Sequence, residues 1–277
     1  MKQRPSFPAR LKHAGTVSHV PVVSGAGAGR LVVPCTSSTA ASSGARPVPT
    51  RPIARDMSAA MPEAAALRRN MVRKIAGQGV SDKAVLSAMG AVERHRFIDS
   101  ALRAQAYEDT SLPIGLGQTI SKPGVVSRMI ELLRNGRDGP LGRVLEVGTG
   151  CGYQAAVLSL LAREVYSIER LRGLHDKARE NLRPLRLANV HLLFGDGMAG
   201  FAKGAPYAAI IAAAGGDAVP QAWIDQLAVG GRLVAPVSMP SGAPGRQALL
   251  VIDKTVQGLR EFVLEAVQFV PLKSGVA

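Results

Sequence analysis

From Glu63 onward, apolar residues return at helical spacing, at Leu67, Met71, Val72 and Ile75, and the pattern stops at Gly77 and Gly79. This predicts a helix that ends at the glycines. Ser81 and Asp82 then stand as caps before a second helix carrying Val85, Leu86 and Met89, and the two helices together read as an N-terminal cover. Residues 112–121, Leu-Pro-Ile-Gly-Leu-Gly-Gln-Thr-Ile-Ser, form a glycine-punctuated loop too apolar to stand free in water. Pro123 leads out of it into a helix with Val126, Met129, Ile130 and Leu133 on one face.

Beyond Pro140 the period changes. Short runs rich in β-branched residues at 143–147, 165–168, 190–194, 207–212 and 232–237 alternate with helical stretches at 153–162, 171–183 and 219–228. Such alternation predicts βαβ units on a doubly wound, mostly parallel sheet, an α/β fold. Two more strands, 248–252 and 262–270, follow without an intervening helix, so the predicted seven-stranded sheet closes with at least one antiparallel hairpin.

Composition narrows the setting. The chain has 277 residues, 47% of them hydrophobic, enough for one sizeable core. Its net charge is +14, and half of that excess lies in residues 1–60, where eight basic side chains face the lone acid Asp56. That stretch is dense in Pro, Gly, Ser, Ala and Arg without periodicity, so it reads as a disordered basic extension, or as a start assigned too far upstream of Met57, Met61 or Met71. Residues 61–277 form the expected domain. With only Cys35 and Cys151 there is no disulfide framework, and no Cys/His spacing suits a metal. No apolar run is long enough for a membrane span and no signal region forms, so a cytoplasmic monomer is expected.

The strongest candidate chemistry is Val144-Leu-Glu-Val-Gly-Thr-Gly-Cys-Gly-Tyr153, a strand entering a glycine-rich turn that opens a helix. Glycines at 148, 150 and 152 let a ligand approach the backbone with no Cβ in the way. The dinucleotide fingerprint needs a glycine where Tyr153 stands, which disfavours a pyrophosphate cradle. The pattern resembles the cofactor motif of class I S-adenosylmethionine methyltransferases. That resemblance implies further positions: Glu169, at the end of the second strand, accepting hydrogen bonds from the ribose diol, and Asp196 with Gly197, after the third, facing the adenine. A carboxylate suits a diol because it offers two acceptor oxygens. Taken alone, each feature also has a plain reading, a tight strand-to-helix turn for the glycines and a solvated or capping carboxylate for Glu169 and Asp196. Their order after successive strands favours the cofactor.

The resemblance goes further than the class. The segments 112–123, Leu145 to Gln154, Gly195-Asp-Gly197, Gly230 to Pro236 and Phe269-Val-Pro-Leu272 closely resemble the protein-L-isoaspartate O-methyltransferase family over about residues 63–273. This implies methyl transfer from S-adenosylmethionine, releasing S-adenosylhomocysteine, to the free carboxylate of L-isoaspartyl or D-aspartyl residues in damaged proteins. It implies Ser121 as the active-site serine, with Thr119 and Ile120 closing over the cofactor and Glu146, Gly148, Gly150, Gly152, Glu169, Asp196 and Gly197 in the cofactor site. It also implies that Phe269, Val270, Pro271 and Leu272 line the substrate cleft. Locally, Ser121 also suits a helix N-cap, and Phe269–Leu272 a buried edge strand.

The sequence departs from the family at strand four, where an aspartate usually follows the aromatic but Ala208 follows Tyr207. The next segment is Ala212-Ala-Ala-Gly-Gly216 where a Thr-Ala-Ala-Pro type is usual, and Ser238 replaces a glycine. These changes lie near the cofactor edge, so reduced affinity or rate is expected. The excess of positive charge would also suit a methyltransferase of tRNA or rRNA. Aromatic content of 4% and the absence of an Asn/Asp-Pro-Pro-aromatic element argue against it, so no nucleic-acid partner is expected. A cofactor-binding module without turnover is the non-enzymatic alternative.

Overall fold

The computed structural model describes residues 57–239 and 246–277, and of 57–62 only the backbone. Most of the stretch expected to be disordered, and Cys35 with it, lies outside the described residues.

Helix α1 runs Met57–Gly77 and α2 Lys83–Ala91. As the sequence implied, Asp82 caps α2, its carboxylate accepting from the N–H groups of Ala84 and Val85 at 2.8 and 3.2 Å. The apolar loop at 112–121 is more ordered than expected. It folds into a two-stranded hairpin, β1 (Leu112–Gly115) and β2 (Gln118–Ile120), turned by Gly115, Leu116 and Gly117, all with positive φ. The two glycines supply that conformation without cost, whereas Leu116 adopts it at φ 51°. Helix α3 (Pro123–Arg134) begins with proline at its first turn and ends at Asn135 in the left-handed conformation.

The main sheet contains β3 (Leu141–Val147), β4 (Ala162–Glu169), β5 (Val190–Phe194), β6 (Tyr207–Ala212), β7 (Leu227–Ser238), β8 (Gln247–Thr255) and β9 (Gly258–Val267). Their order is β5-β4-β3-β6-β7-β8-β9, with parallel pairing from β5 to β7 and antiparallel pairing of β8 with both neighbours. This is the expected doubly wound, seven-stranded, mostly parallel sheet with its antiparallel edge. Helices α4 (Tyr153–Ser159), α5 (Arg172–Leu182) and α6 (Gln221–Gln226) connect the parallel strands.

Side chains alternate between two cores. Val144, Val165, Ala209, Ile211 and Val234 join α1–α4 on one face, whereas Leu145, Ile168, Ile210, Leu233 and Trp223 pack on the other. Burial on both faces explains why the parallel strands read as continuous apolar runs. Two boundaries moved. The helix expected over 219–228 stops at Gln226, because Leu227 pairs with Tyr207 and opens β7, and a register shift carries Arg232 opposite Ala209. The final strand was expected at 262–270, but β9 starts at Gly258, whose φ of 128° turns the hairpin, and ends at Val267.

Candidate active site

The order reverses between β3 and β6, the two strands from which the parallel half grows outward, and a crevice opens there beyond their carboxyl ends. It holds a cleft of about 480 Å³, within the range of small-molecule sites.

The floor comes from β3. Its last residue, Val147, leads into Gly148, Thr149 and Gly150, all of which line the cleft. Gly148 and Gly150 have φ of 91° and 57°, and a Cβ on Gly150 would sit 3.2 Å from Ile114 Cδ1 on the opposing hairpin. A side chain at 150 would therefore enter the space between floor and cover, whereas one at 148 would lie against Ala213. Gly152, also at positive φ, does a different job. It faces away from the cleft, and a Cβ there would meet Leu182 Cδ1 at 2.9 Å, so this glycine brings α4 against α5.

Glu169, at the end of β4, is 5% exposed and lines the cleft. Its carboxylate accepts from Gly150 N–H and from Leu171 N–H, each at 2.9 Å, one on each oxygen. Each oxygen keeps a further lone pair, so the group can still receive the two hydroxyls of a vicinal diol. Glu146 is placed elsewhere. It is fully buried behind the floor, accepting from Ser167 Oγ, which in turn shares a 2.6 Å hydrogen bond with Thr149 Oγ1. Burial pushes its carboxyl up to about 8, and the neighbouring Glu169 adds to this while Ser167 and Gln154 pull the other way. Glu146 thus supports the turn through Ser167 and Thr149 and does not reach the cleft surface.

Gly197 lines the cleft and cannot be larger, since a Cβ would lie 2.5 Å from Val147 Cγ1. Asp196 is not part of the wall. Its Oδ1 accepts Met198 N–H at 2.8 Å and its Oδ2 accepts Gly275 N–H at 2.7 Å.

The cover is the β1–β2 hairpin, which brings Thr119, Ile120 and Ser121 to the cleft. Lys122, not Ser121, is the N-cap residue of α3. The cap is supplied remotely: Asp109 Oδ1 accepts Gly124 N–H at 2.8 Å. The hairpin is tied down by Lys177 of α5, whose Nζ donates to Ile114 O at 2.8 Å. Neither Asp109 nor Lys177 stood out in the sequence, because an acid in a loop and a lysine on an amphipathic helix carry no local signal of such distant partners.

Two further groups mark the site's surroundings. Cys151 is buried, and burial pushes its thiol up, so it stays protonated. Arg94, wholly buried, donates from Nε to Ala106 O at 2.8 Å and lies 5.0 Å from the centre of the Tyr153 ring, which itself lines the cleft.

The departures at 208–216 have a structural counterpart. A Cβ on Gly215 would lie 2.3 Å from the Gln247 side chain, whose Oε1 accepts Phe269 N–H at 2.7 Å. Gly215 and Gly216 pair with Pro271 and Val237, respectively, and Ser238 Oγ donates to Asp217 at 3.1 Å. The altered segment is therefore filled and hydrogen-bonded, and Val270, Pro271 and Leu272 reach the cleft wall. Among the described residues no cluster of His, Cys, Asp and Glu could hold a metal, and no helix is long and apolar enough to cross a membrane.

The residues present fit S-adenosylmethionine: a carboxylate with free lone pairs for a diol, and a glycine floor whose open face a Cβ would close. Comparison with known proteins agrees. The sequence pattern of the family described as Protein-L-isoaspartate(D-aspartate) O-methyltransferase (PCMT) matches residues 66–277. A protein-L-isoaspartate O-methyltransferase of Leptothrix cholodnii is 59% identical over 212 residues, covering 76% of this chain and 74% of that protein. One of Methylibium petroleiphilum is 60% identical over 211 residues, covering 76% and 78%. A solved structure of a protein-L-isoaspartate O-methyltransferase superposes with a TM-score of 0.67 at 29% identity, covering 76% of this chain and 67% of that one.

Proposed function

Since this chain belongs to the protein-L-isoaspartate(D-aspartate) O-methyltransferase family, we infer that it repairs damaged proteins by methylating the free carboxylate of L-isoaspartyl and D-aspartyl residues. The observation that carries this reading is the meeting of Ser121, the Gly148–Gly150 floor and Glu169 around one cleft, although they come from three distant parts of the sequence.

When bound, S-adenosylmethionine supplies an activated methyl group. The protein's own task is modest chemically and demanding geometrically. The acceptor is a carboxylate whose reference pKa of about 4 leaves it ionised at neutral pH, so no general base is needed. Ser121 donates its hydroxyl to the incoming carboxylate and aims one oxygen along the transfer line. Thr119 and Ile120 close the hairpin over the site and exclude water. Glu169 receives the ribose hydroxyls, Gly148 and Gly150 leave room for the methionyl part, and Gly197 keeps the far wall thin. Glu146 and Gly152 act from behind, holding the turn in shape. Alignment of this kind can lower a barrier by on the order of 7–11 kcal/mol. In the resulting ester the neighbouring backbone amide nitrogen attacks the ester carbonyl without the enzyme and expels methanol, giving a succinimide whose hydrolysis partly restores aspartate.

The repair reading takes residues 61–277 as the catalytic domain, acting as a cytoplasmic monomer on protein and peptide substrates without nucleic acid. The test is transfer of labelled methyl from S-adenosylmethionine to an isoaspartyl peptide, beside the same peptide with ordinary aspartate and bulk tRNA. Base-labile label confined to the isoaspartyl peptide is the expected result. Label in tRNA, or cofactor binding with no acceptor labelled, overturns the reading.

A further inference from the structure

Strand β5 is an edge of the main sheet, paired with β4 on one side and with no strand on the other. Asn189 O accepts from Val165 N–H and Gly195 N–H donates to Glu169 O, so residues 189 and 195 turn these groups toward β4. Backbone groups alternate along a strand, so Val190 and Leu192 turn their N–H and C=O outward, where no strand of the described residues meets them. This edge is not guarded in the usual way: Val190–Phe194 contains no acid, lysine, arginine or proline, and all five residues are half-buried.

Beside that edge the start of β5 meets the end of α5 in a second hollow, of about 390 Å³. Its floor is Leu182, Leu187, Val190 and Leu192, and its rim is Arg179, Arg183 and Arg186. All three arginines are exposed, and none forms an ion pair among the described residues. Arg179 and Arg183 stand one turn apart, a spacing at which like charges repel. The acids of α5 are Asp176, whose carboxylate lies 3.3 Å from His175, and Glu180, and neither lines the hollow. An apolar floor ringed by three unpaired guanidiniums is complementary to a ligand that is apolar and anionic together.

We propose that the outer edge of β5 and this arginine rim form a secondary site for an extended, acidic segment of the protein substrate. The segment adds a strand to β5 through the outward groups of Val190 and Leu192. Every second side chain of the added strand then lies on the α5 face, where carboxylates meet Arg179, Arg183 and Arg186. Nucleic acid fits less well, because the hollow has no aromatic side chain on which bases stack, and a phosphate backbone has no row of amides to pair with a strand edge. From the start of β5 the way to the cleft is about 17 Å along the strand and about 10 Å across to β3, so about six extended residues separate the acidic segment from the aspartyl residue being methylated. The site favours some damaged proteins over others and leaves methyl transfer unaltered; that role rests on the repair reading of the cleft.

Two isoaspartyl peptides test it on the full chain, one plain and one carrying a run of alternating Glu and Val about six residues from the isoaspartate. The acidic peptide is expected to show a KM about tenfold lower at equal kcat, in line with three exposed ion pairs, and the advantage is expected to shrink at about 1 M salt. Combining Arg179→Gln, Arg183→Gln and Arg186→Gln is expected to abolish the advantage and leave the plain peptide unaffected. N-methylation of one alternate set of backbone amides in the acidic run is expected to abolish it too, and N-methylation of the other set to spare it, since only one set faces β5. A fluorescent acidic peptide with ordinary aspartate gives a readout without catalysis: its anisotropy is expected to rise with the unaltered chain and not with the triple variant. Equal KM for the two peptides, an advantage that survives the arginine changes, or equal effects of the two N-methylated sets overturns the site as described. Displacement of the fluorescent peptide by a single-stranded RNA of the same charge at lower concentration assigns the rim to nucleic acid and also overturns it. Failure of the unaltered protein to methylate the plain peptide removes the repair reading instead, and the anisotropy measurement still decides whether the acidic segment binds.

Discussion

The two sides of the cleft are built on opposite principles. Its floor, the turn after β3, grows from a strand buried on both faces and is braced from behind by Glu146, Ser167 and Thr149, each at most 4% exposed. Its covers, the β1–β2 hairpin and the segment after Val267, are largely exposed and held by a few hydrogen bonds, donated by Lys177 and Arg170, accepted by Gln247 and Asp196, and made by the backbone at Gly215, Arg170 and Arg172. A transferase has to hold one ligand in a fixed attitude and still exchange it each turnover. Stiffness on one side and cheap opening on the other satisfy both needs.

Substitutions in the floor are therefore expected to show up as stability and substitutions in the covers as kinetics. The largest effect is expected for Gly152→Ala, which combines a φ of 90° with a Cβ 2.9 Å from Leu182. A loss of about 2–5 kcal/mol is expected from strain and overpacking together, read by denaturant unfolding; a loss below about 1 kcal/mol would mean that the floor yields.

Next comes pH. Glu146 has its carboxyl raised in the folded state from an ordinary 4.5 to about 8, so the folded protein holds a proton that the unfolded chain releases. The stabilisation is complete below about 4.5, falls as pH rises, and is gone above about 8, on the order of a few kcal/mol in all. Glu146→Gln should flatten the stability profile across that window; an unchanged slope would show that another group titrates there.

In the covers, Ser121→Ala is expected to cut turnover by about 10- to 100-fold, the value of a hydrogen bond to a charged group, with cofactor affinity unchanged in calorimetry. Equal losses in both would make Ser121 a structural residue. The smallest effect is expected for Lys177→Met, which frees the hairpin from α5: a rise in peptide KM of about threefold, the low end for a charge-assisted bond because the half-buried ammonium is partly solvated, and little change in melting temperature.

The same contrast governs what the sequence disclosed. The floor was legible because it depends on local chemistry: glycines at positive φ, an apolar run for a buried strand, an acid where the next strand ends. Helix α2 was legible for the same reason, since Asp82 bonds two residues and three residues away. The covers depend on partners far along the chain. Nothing in residues 112–121 says that the loop pairs with itself, and Asp196 looked like a free acceptor because its partner, Gly275, lies 79 residues on. Glu146 looked like a ligand because it sits inside the glycine motif; the strand's alternation turns it to the opposite face from Val147, behind the floor.

Gly215 and Gln247 carry a consequence for how this wall of the cleft can be altered. The amide of Gln247 occupies the volume that any Cβ at 215 would need, and it also holds Phe269 in place. The two positions are therefore coupled: a side chain placed at 215 makes the Gln247 amide move, and moving that amide gives up the hydrogen bond that holds Phe269. Gly215 and Gln247 are therefore one unit in any redesign of this wall, 32 positions apart in the sequence but sharing a single volume.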